Sequence, residues 1–168
     1  MSRLSMRFLG GFAVQLDGEP VAGLEYDKVR ALLAYLAVEA GRSHRREALA
    51  TLFWGEFSEQ AARRSLRQAL FNLRQVLAPL GQDEADPPGC LTITHHTVQL
   101  ELDPRCFWID LQAFDNLLAQ ADLPSFAVGR QEGGTIATAQ ATGLANTMRL
   151  YRGSFLAGLS LPGCQEFE

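Results

Sequence analysis

Three features of this chain predict an α+β fold. Residues 4–21 alternate like short strands, three apolar-periodic segments follow between residues 27 and 78, and a second alternating stretch occupies residues 91–102. In the first stretch Phe12, Val14 and Leu16 share one face, and Ala13, Gln15 and Asp17 share the other. Asp17-Gly18 is a hairpin-turn pair with a short return strand near Val21, so residues 4–21 read as a small antiparallel sheet. Helix one is expected over about 27–40, with Val29, Leu32, Leu33, Leu36 and Ala37 at core spacing and Gly41 as its stop. Helix two is expected over about 45–54, burying Leu49, Leu52 and Phe53. A short link (Gly55, Glu56, Phe57, Ser58) then leads into helix three, with Ser58 as its N-cap.

Helix three is the most informative part of the chain. From Gln60 to Leu77 it carries Arg63, Arg64, Arg67 and Arg74 and no carboxylate, although the chain as a whole has a net charge of −4. On a helical wheel Leu66, Leu70, Leu73 and Leu77 fall in one narrow arc with Ala62 and Ala69 beside them. The opposite arc carries Arg64, Arg67, Gln68, Phe71, Asn72 and Gln75, flanked by Arg63 and Arg74. An apolar back with an Arg/Gln/Asn front suits a helix lying in the major groove of DNA. A merely solvated helix face would more commonly mix Glu and Lys.

Residues 81–89 (GQDEADPPG) form a loop by composition. Beyond it, residues 91–94 and 97–102 alternate as a hairpin around His95 and His96. Sheet, three helices and a closing hairpin, in that order, make a winged helix-turn-helix, with helix three (about 59–78) as the reading helix and the hairpin (about 91–102) as the wing. After Asp103-Pro104 the character changes, which divides the chain into residues 1–104 and 105–168. In the second part, residues 108–121 and 135–151 read as helices, separated by residues 122–134 with their Pro124, Gly129, Gly133 and Gly134. Gly143 weakens the second of these helices by about 1 kcal/mol relative to alanine.

A chain of 168 residues holds one or two small domains with a real core. No apolar run is long enough to span a bilayer, and the start lacks the pattern of a secretory signal. Cys90, Cys106 and Cys164 are odd in number and widely spaced, which argues against a disulfide framework and for a cytoplasmic location. The charge is unevenly spread. From Arg42 to Arg74, seven basic residues (Arg42, Arg45, Arg46, Arg63, Arg64, Arg67, Arg74) stand against Glu47, Glu56 and Glu59. Screening confines each charge to roughly 8–10 Å, so this local balance governs what the surface binds.

Arg64, Arg67, Gln68, Asn72 and Gln75 are therefore the candidates for base edges: Arg for the paired acceptors of guanine, Gln or Asn for adenine. Arg45, Arg46, Arg63 and Arg74 suit phosphate. Phe71 either meets a thymine methyl or packs beneath the wing, and the second is the reading favoured from sequence. Lys28 and Arg30 either meet the DNA backbone or are simply solvated. Phe53 and Trp54 read as core. His95, His96, Cys90 and Cys106 make no metal site, because a hairpin puts adjacent residues on opposite faces and no paired-Cys spacing is present. No nucleophile elbow, phosphate loop or Cys/His pairing suggests catalysis, and no cofactor is expected.

The blocks DKVRALLAYLAVEAGRSHRREALATLFW, ARRSLRQALFNLRQVL and LTITHHTVQLELDP resemble the winged-helix domain of Streptomyces antibiotic regulatory protein (SARP)-type transcriptional activators. That domain is similar in turn to the effector domain of OmpR-type response regulators. IDLQAFDNLLAQA and LYRGSFLAGLSLPGCQEFE resemble the opening helices of the bacterial transcriptional activation domain that follows it in the same family. The resemblance implies head-to-tail binding of double-stranded DNA at direct repeats, as a homodimer on DNA, with contact to RNA polymerase. The polymerase-facing link would be Gly55, Glu56, Phe57 and Ser58. It also implies a piece of a longer regulator, since the family's activation domain continues where this chain stops at Glu168. No receiver-like segment precedes the DNA-binding unit, which points away from control by phosphorylation.

The chain departs from the family pattern at three places. Arg45 stands where the family often has a capping Ser. Phe71 stands where relatives commonly have a polar or basic residue. The wing tip offers His95 and His96 in place of arginine, a weaker grip on phosphate at neutral pH. The competing reading is a winged helix used as a protein-interaction module, its arginine face docking an acidic partner without reading DNA.

Overall fold

The computed structural model describes residues 2–81, 90–120, 145 and 148–161. Its elements run β1 (Leu4–Arg7), β2 (Ala13–Leu16), β3 (Glu19–Pro20), α1 (Asp27–Val38), β4 (Ser43–Arg45), α2 (Arg46–Trp54), α3 (Glu59–Leu77), a 3-10 turn (Ala78–Gly81), β5 (Leu91–Ile93), β6 (Thr97–Leu100), β7 (Phe107–Ile109) and α4 (Asp110–Gln120). Sheet, three helices and wing follow in the expected order, so the α+β winged helix-turn-helix is present.

Asp17 (φ 51°) and Gly18 (φ 92°) are both left-handed, the turn that an Asp-Gly pair favours, and they join β2 to β3. The N–H of Arg3 donates to Asp17 Oδ1 at 2.7 Å and ties the turn back to the start of β1. β1 pairs antiparallel with β2, Leu4 opposite Leu16 and Arg7 opposite Ala13. On its other side β1 takes β7 in parallel, Leu4 opposite Phe107 and Met6 opposite Ile109. The sheet order is thus β3-β2-β1-β7. This corrects the helix expected from residue 108: Phe107 and Ile109 are buried on either side of a half-buried Trp108, and strand pairing wins over continuation of the helical pattern.

α1 buries Val29, Leu32, Leu33, Leu36 and Ala37 as expected and stops at Val38. Gly41 (φ 82°) turns the chain, and its N–H donates to Leu100 O at 2.8 Å. That bond leads directly into β4, a strand the sequence did not suggest. β4 lies against β6, His44 opposite Val98, so the wing is a three-stranded sheet of order β4-β6-β5. α2 buries Leu49, Phe53 and Trp54, with Leu52 half-buried. α3 is one continuous helix, started by Ser58, whose Oγ accepts from the N–H of Ala61 at 3.4 Å. Its seam of Ala62, Leu66, Ala69, Leu70, Leu73, Val76 and Leu77 closes the core over α1 and α2.

The chain beyond residue 104 packs on the N-terminal sheet. Asp110, 3% exposed, accepts from Phe8 N–H (2.8 Å) and Leu9 N–H (2.9 Å) through one carboxylate oxygen and from Phe8 again (3.0 Å) through the other. Leu156 N–H donates to Phe8 O at 2.7 Å, Gly10 N–H to Ser154 O at 3.0 Å, and Ala157 N–H to Gly10 O at 2.8 Å. Gly10 (φ 102°) permits this approach: a Cβ there would lie 2.9 Å from Arg152 Cβ. The expected loop at 81–89 (from residue 82 on) and the separator at 122–134 lie outside the described residues. Of the helix expected over 135–151, Ala145 and residues 148–150 are described and are helical, while Tyr151 is past it.

Candidate nucleic-acid interface

The leucine seam fixes which side of α3 faces outward. Arg63, Arg64, Arg67, Gln68, Phe71, Arg74 and Gln75 are all exposed, and Asn72 is half-buried. Helical spacing puts Gln60, Arg64, Arg67 and Phe71 along the crest, with the other residues stepping down its two flanks.

One flank meets the wing. Arg46, Arg63, Arg67, His95 and His96 line a cleft of about 320 Å³, with Glu47 at its edge and Leu66 in its floor. The wing tip is rigidly built: Thr94 N–H donates to Thr97 O at 2.9 Å, and Thr94 Oγ1 accepts from the N–H of His96 (3.2 Å) and of Thr97 (2.9 Å). Arg46 ties the tip to α2, its backbone N–H donating to His96 O at 2.8 Å and its guanidinium to Thr94 O at 3.1 Å. His95 and His96 were expected on opposite faces, but both line this one cleft. They occupy the turn between Ile93 and Thr97, where strand alternation no longer applies. Among the described residues no group of three or more His, Cys, Asp or Glu could hold a metal ion. Cys90 and Cys106 are buried free thiols, and burial pushes the Cys90 thiol above its ordinary pKa.

The other flank meets α1. Gln68 and Asn72 share a cleft of about 380 Å³ with Tyr26, Lys28, Trp54 and Ser160, and Gln68 Nε2 donates to Asn72 Oδ1 at 3.1 Å. The expected base-readers are thus not equivalent. Arg64 and Arg67 stand on the crest, whereas Gln68 and Asn72 lean away from the wing and hold each other. Phe71, at 56% exposure, does not have the packed position beneath the wing that was favoured for it.

The arginines divide by their partners. Arg63 is paired with Glu47 (3.0 Å) and with Glu59 (2.5 Å). Arg45, Arg64, Arg67 and Arg74 form no ion pair among the described residues. Arg45 stands at the N-cap of α2 without a side-chain capping bond, close to the positive end of that helix. Sequence reasoning missed the Arg46–Thr94 tie and the double pairing of Arg63; Glu59, four residues before Arg63, was the one readable signal.

Lys28 and Arg30 are both committed within the chain. Lys28 pairs with Glu56 and stands 5.2 Å from the Phe57 ring centroid; that hydrogen bond holds the Glu56 carboxyl below its ordinary pKa. Arg30 bonds to Leu24 O and pairs with Asp27. The link of residues 55–58 is therefore pinned to α1 through Glu56, while Phe57 stays 52% exposed.

Comparison with known proteins agrees with this architecture. The chain is homologous to Transcriptional regulatory protein EmbR of Mycobacterium tuberculosis and Mycobacterium bovis, 36% identical over an alignment 104 residues long that covers 58% of this chain and 26% of EmbR. The fold matches that of Mycobacterium tuberculosis EmbR, solved in complex with a low affinity phosphopeptide, at a TM-score of 0.68 and 28% identity. That match covers 95% of this chain and 38% of the solved one. The chain thus spans about a quarter of the length of the curated relatives it matches. No protein-family model matches it.

Proposed function

We propose that this EmbR homologue is the DNA-binding portion of a SARP-type transcriptional activator, with residues 105–168 opening its activation domain. The observation that carries the reading is the crest of α3, where Arg64 and Arg67, without an ion pair among the described residues, face solvent beside the wing. Arg64 and Arg67 read base edges in the major groove, with Gln68, Asn72 and Gln75 serving positions toward the α1 side. Arg45, Arg46 and Arg74 hold phosphates, as does Arg63 after exchanging a carboxylate for one. His95 and His96 bring the wing to the backbone beside them. Gly55, Glu56, Phe57 and Ser58 form a surface for RNA polymerase, and neighbouring copies bind direct repeats as a homodimer on DNA.

The net charge of −4 favours a second reading, in which the arginine crest docks an acidic protein and reads no DNA. A salt titration on duplex DNA separates the two. Each neutralised phosphate lowers the slope of log affinity against log salt by about 0.9, so the DNA reading gives a steep fall. Absence of measurable duplex binding at low salt supports the second reading instead.

A further inference from the structure

Phe71 stands on the crest of α3, exposed among the described residues and outside the buried seam. The buried seam of the helix runs through Leu66, Leu70 and Leu73 and is complete without it. The wing approaches α3 at Arg63, Leu66 and Arg67, and α1 approaches it at Ser65, Gln68, Ala69 and Asn72. Phe71 lies between these two lines of contact, with Arg67 one turn before it and Arg74 and Gln75 one turn after it. A phenyl ring 56% exposed amid arginines gains nothing from water.

The major groove has one apolar group to offer such a ring. Every base pair presents hydrogen-bond donors or acceptors there, and thymine alone adds a methyl, at C5. We propose that Phe71 is a specificity-determining residue that reads a thymine through contact with this methyl. The proposal rests on the DNA-binding reading above. It also fixes where the thymine lies: four residues of α-helix advance about 6 Å, so the base is within about two steps, at about 3.4 Å each, of the one that Arg67 contacts.

The test uses the whole chain and a duplex it has enriched from a random pool. Each thymine in the motif is replaced by uracil, which removes the methyl and keeps every hydrogen bond. Wild-type protein should lose about fourfold to tenfold in affinity at one thymine. Phe71→Ala should bind the uracil and thymine duplexes alike at that position, and Phe71→Leu should keep part of the preference. Because the ring is outside the core, both variants should retain the wild-type melting temperature. If wild type is indifferent to uracil throughout while still preferring the motif, Phe71 reads no methyl, and the DNA-binding assignment survives. A Phe71→Ala variant that keeps the uracil penalty overturns the proposal in the same way. If no motif is enriched, the underlying reading fails and takes the proposal with it.

Discussion

Arg63 and Arg67 are one helical turn apart on α3, yet their charges are differently committed. Arg63 is held by Glu47 and Glu59, while Arg67 has no acidic partner among the described residues. On the proposed reading a phosphate must displace carboxylates from Arg63, whereas Arg67 has no such partner to give up before meeting a base edge. Arg67→Ala should therefore weaken specific binding by about 1–3 kcal/mol and relax one base preference, as measured by competition between duplexes. An equal loss on all sequences would make Arg67 a backbone contact. Glu47→Gln should act in the opposite sense, raising affinity for any duplex by releasing Arg63; unchanged affinity would mean that Glu59 alone keeps it occupied. The arginine pattern was legible because helical spacing sorts nearby residues onto faces. The fate of Arg63 was not, since Glu47 sits sixteen positions earlier on another helix. Phe71 was misjudged for a similar reason: the sequence shows an apolar residue on a polar face but not where the wing stops.

At the scale of elements, legibility follows the length of the pattern. α3 offers nineteen residues of consistent amphipathicity and a capping serine, and it lies where the sequence places it. Asp17-Gly18 announced its hairpin because so few residues tolerate two successive left-handed conformations. β4 and β7 have three residues each, too few for alternation to register, and exist because β6 and β1 offer free edges. Ser58→Ala should cost about 0.5–1 kcal/mol in denaturant unfolding, the low end for a cap, because its bond is long. A larger loss would show that Ser58 also positions the link ahead of α3. The wing carries a sharper expectation. His95 and His96 line one cleft with Arg46, Arg63 and Arg67, so on the proposed reading the wing tip meets the DNA backbone beside those arginines. Replacing both His95 and His96 with Ala should weaken binding about equally on all duplexes; unchanged affinity would place the wing tip off the DNA backbone.

Across the whole molecule, the described residues beyond 104 are joined to the winged-helix unit by backbone bonds and one buried carboxylate. Asp110 gathers the N–H groups of Phe8 and Leu9, and residues 154–157 bond to Phe8 and Gly10. The sequence marked the change of character after Pro104 but could not show that the chain returns to its own first strand. Asp110→Ala strands two buried donors and should cost about 2–4 kcal/mol of stability, read as a lower unfolding midpoint. A neutral result would mean that the N-terminal sheet holds without that clamp. Ser160 of this part lines the cleft beside Gln68 and Asn72, while Arg64 and Arg67 on the crest of α3 are exposed, and on that exposure the proposed function depends. Selection of random duplexes on the purified chain, run beside the Arg64→Ala/Arg67→Ala double variant, tests it most directly. Wild type should enrich one motif in tandem copies, and the variant should lose it. Identical pools from both proteins, or no enriched motif from either, would contradict the proposed function.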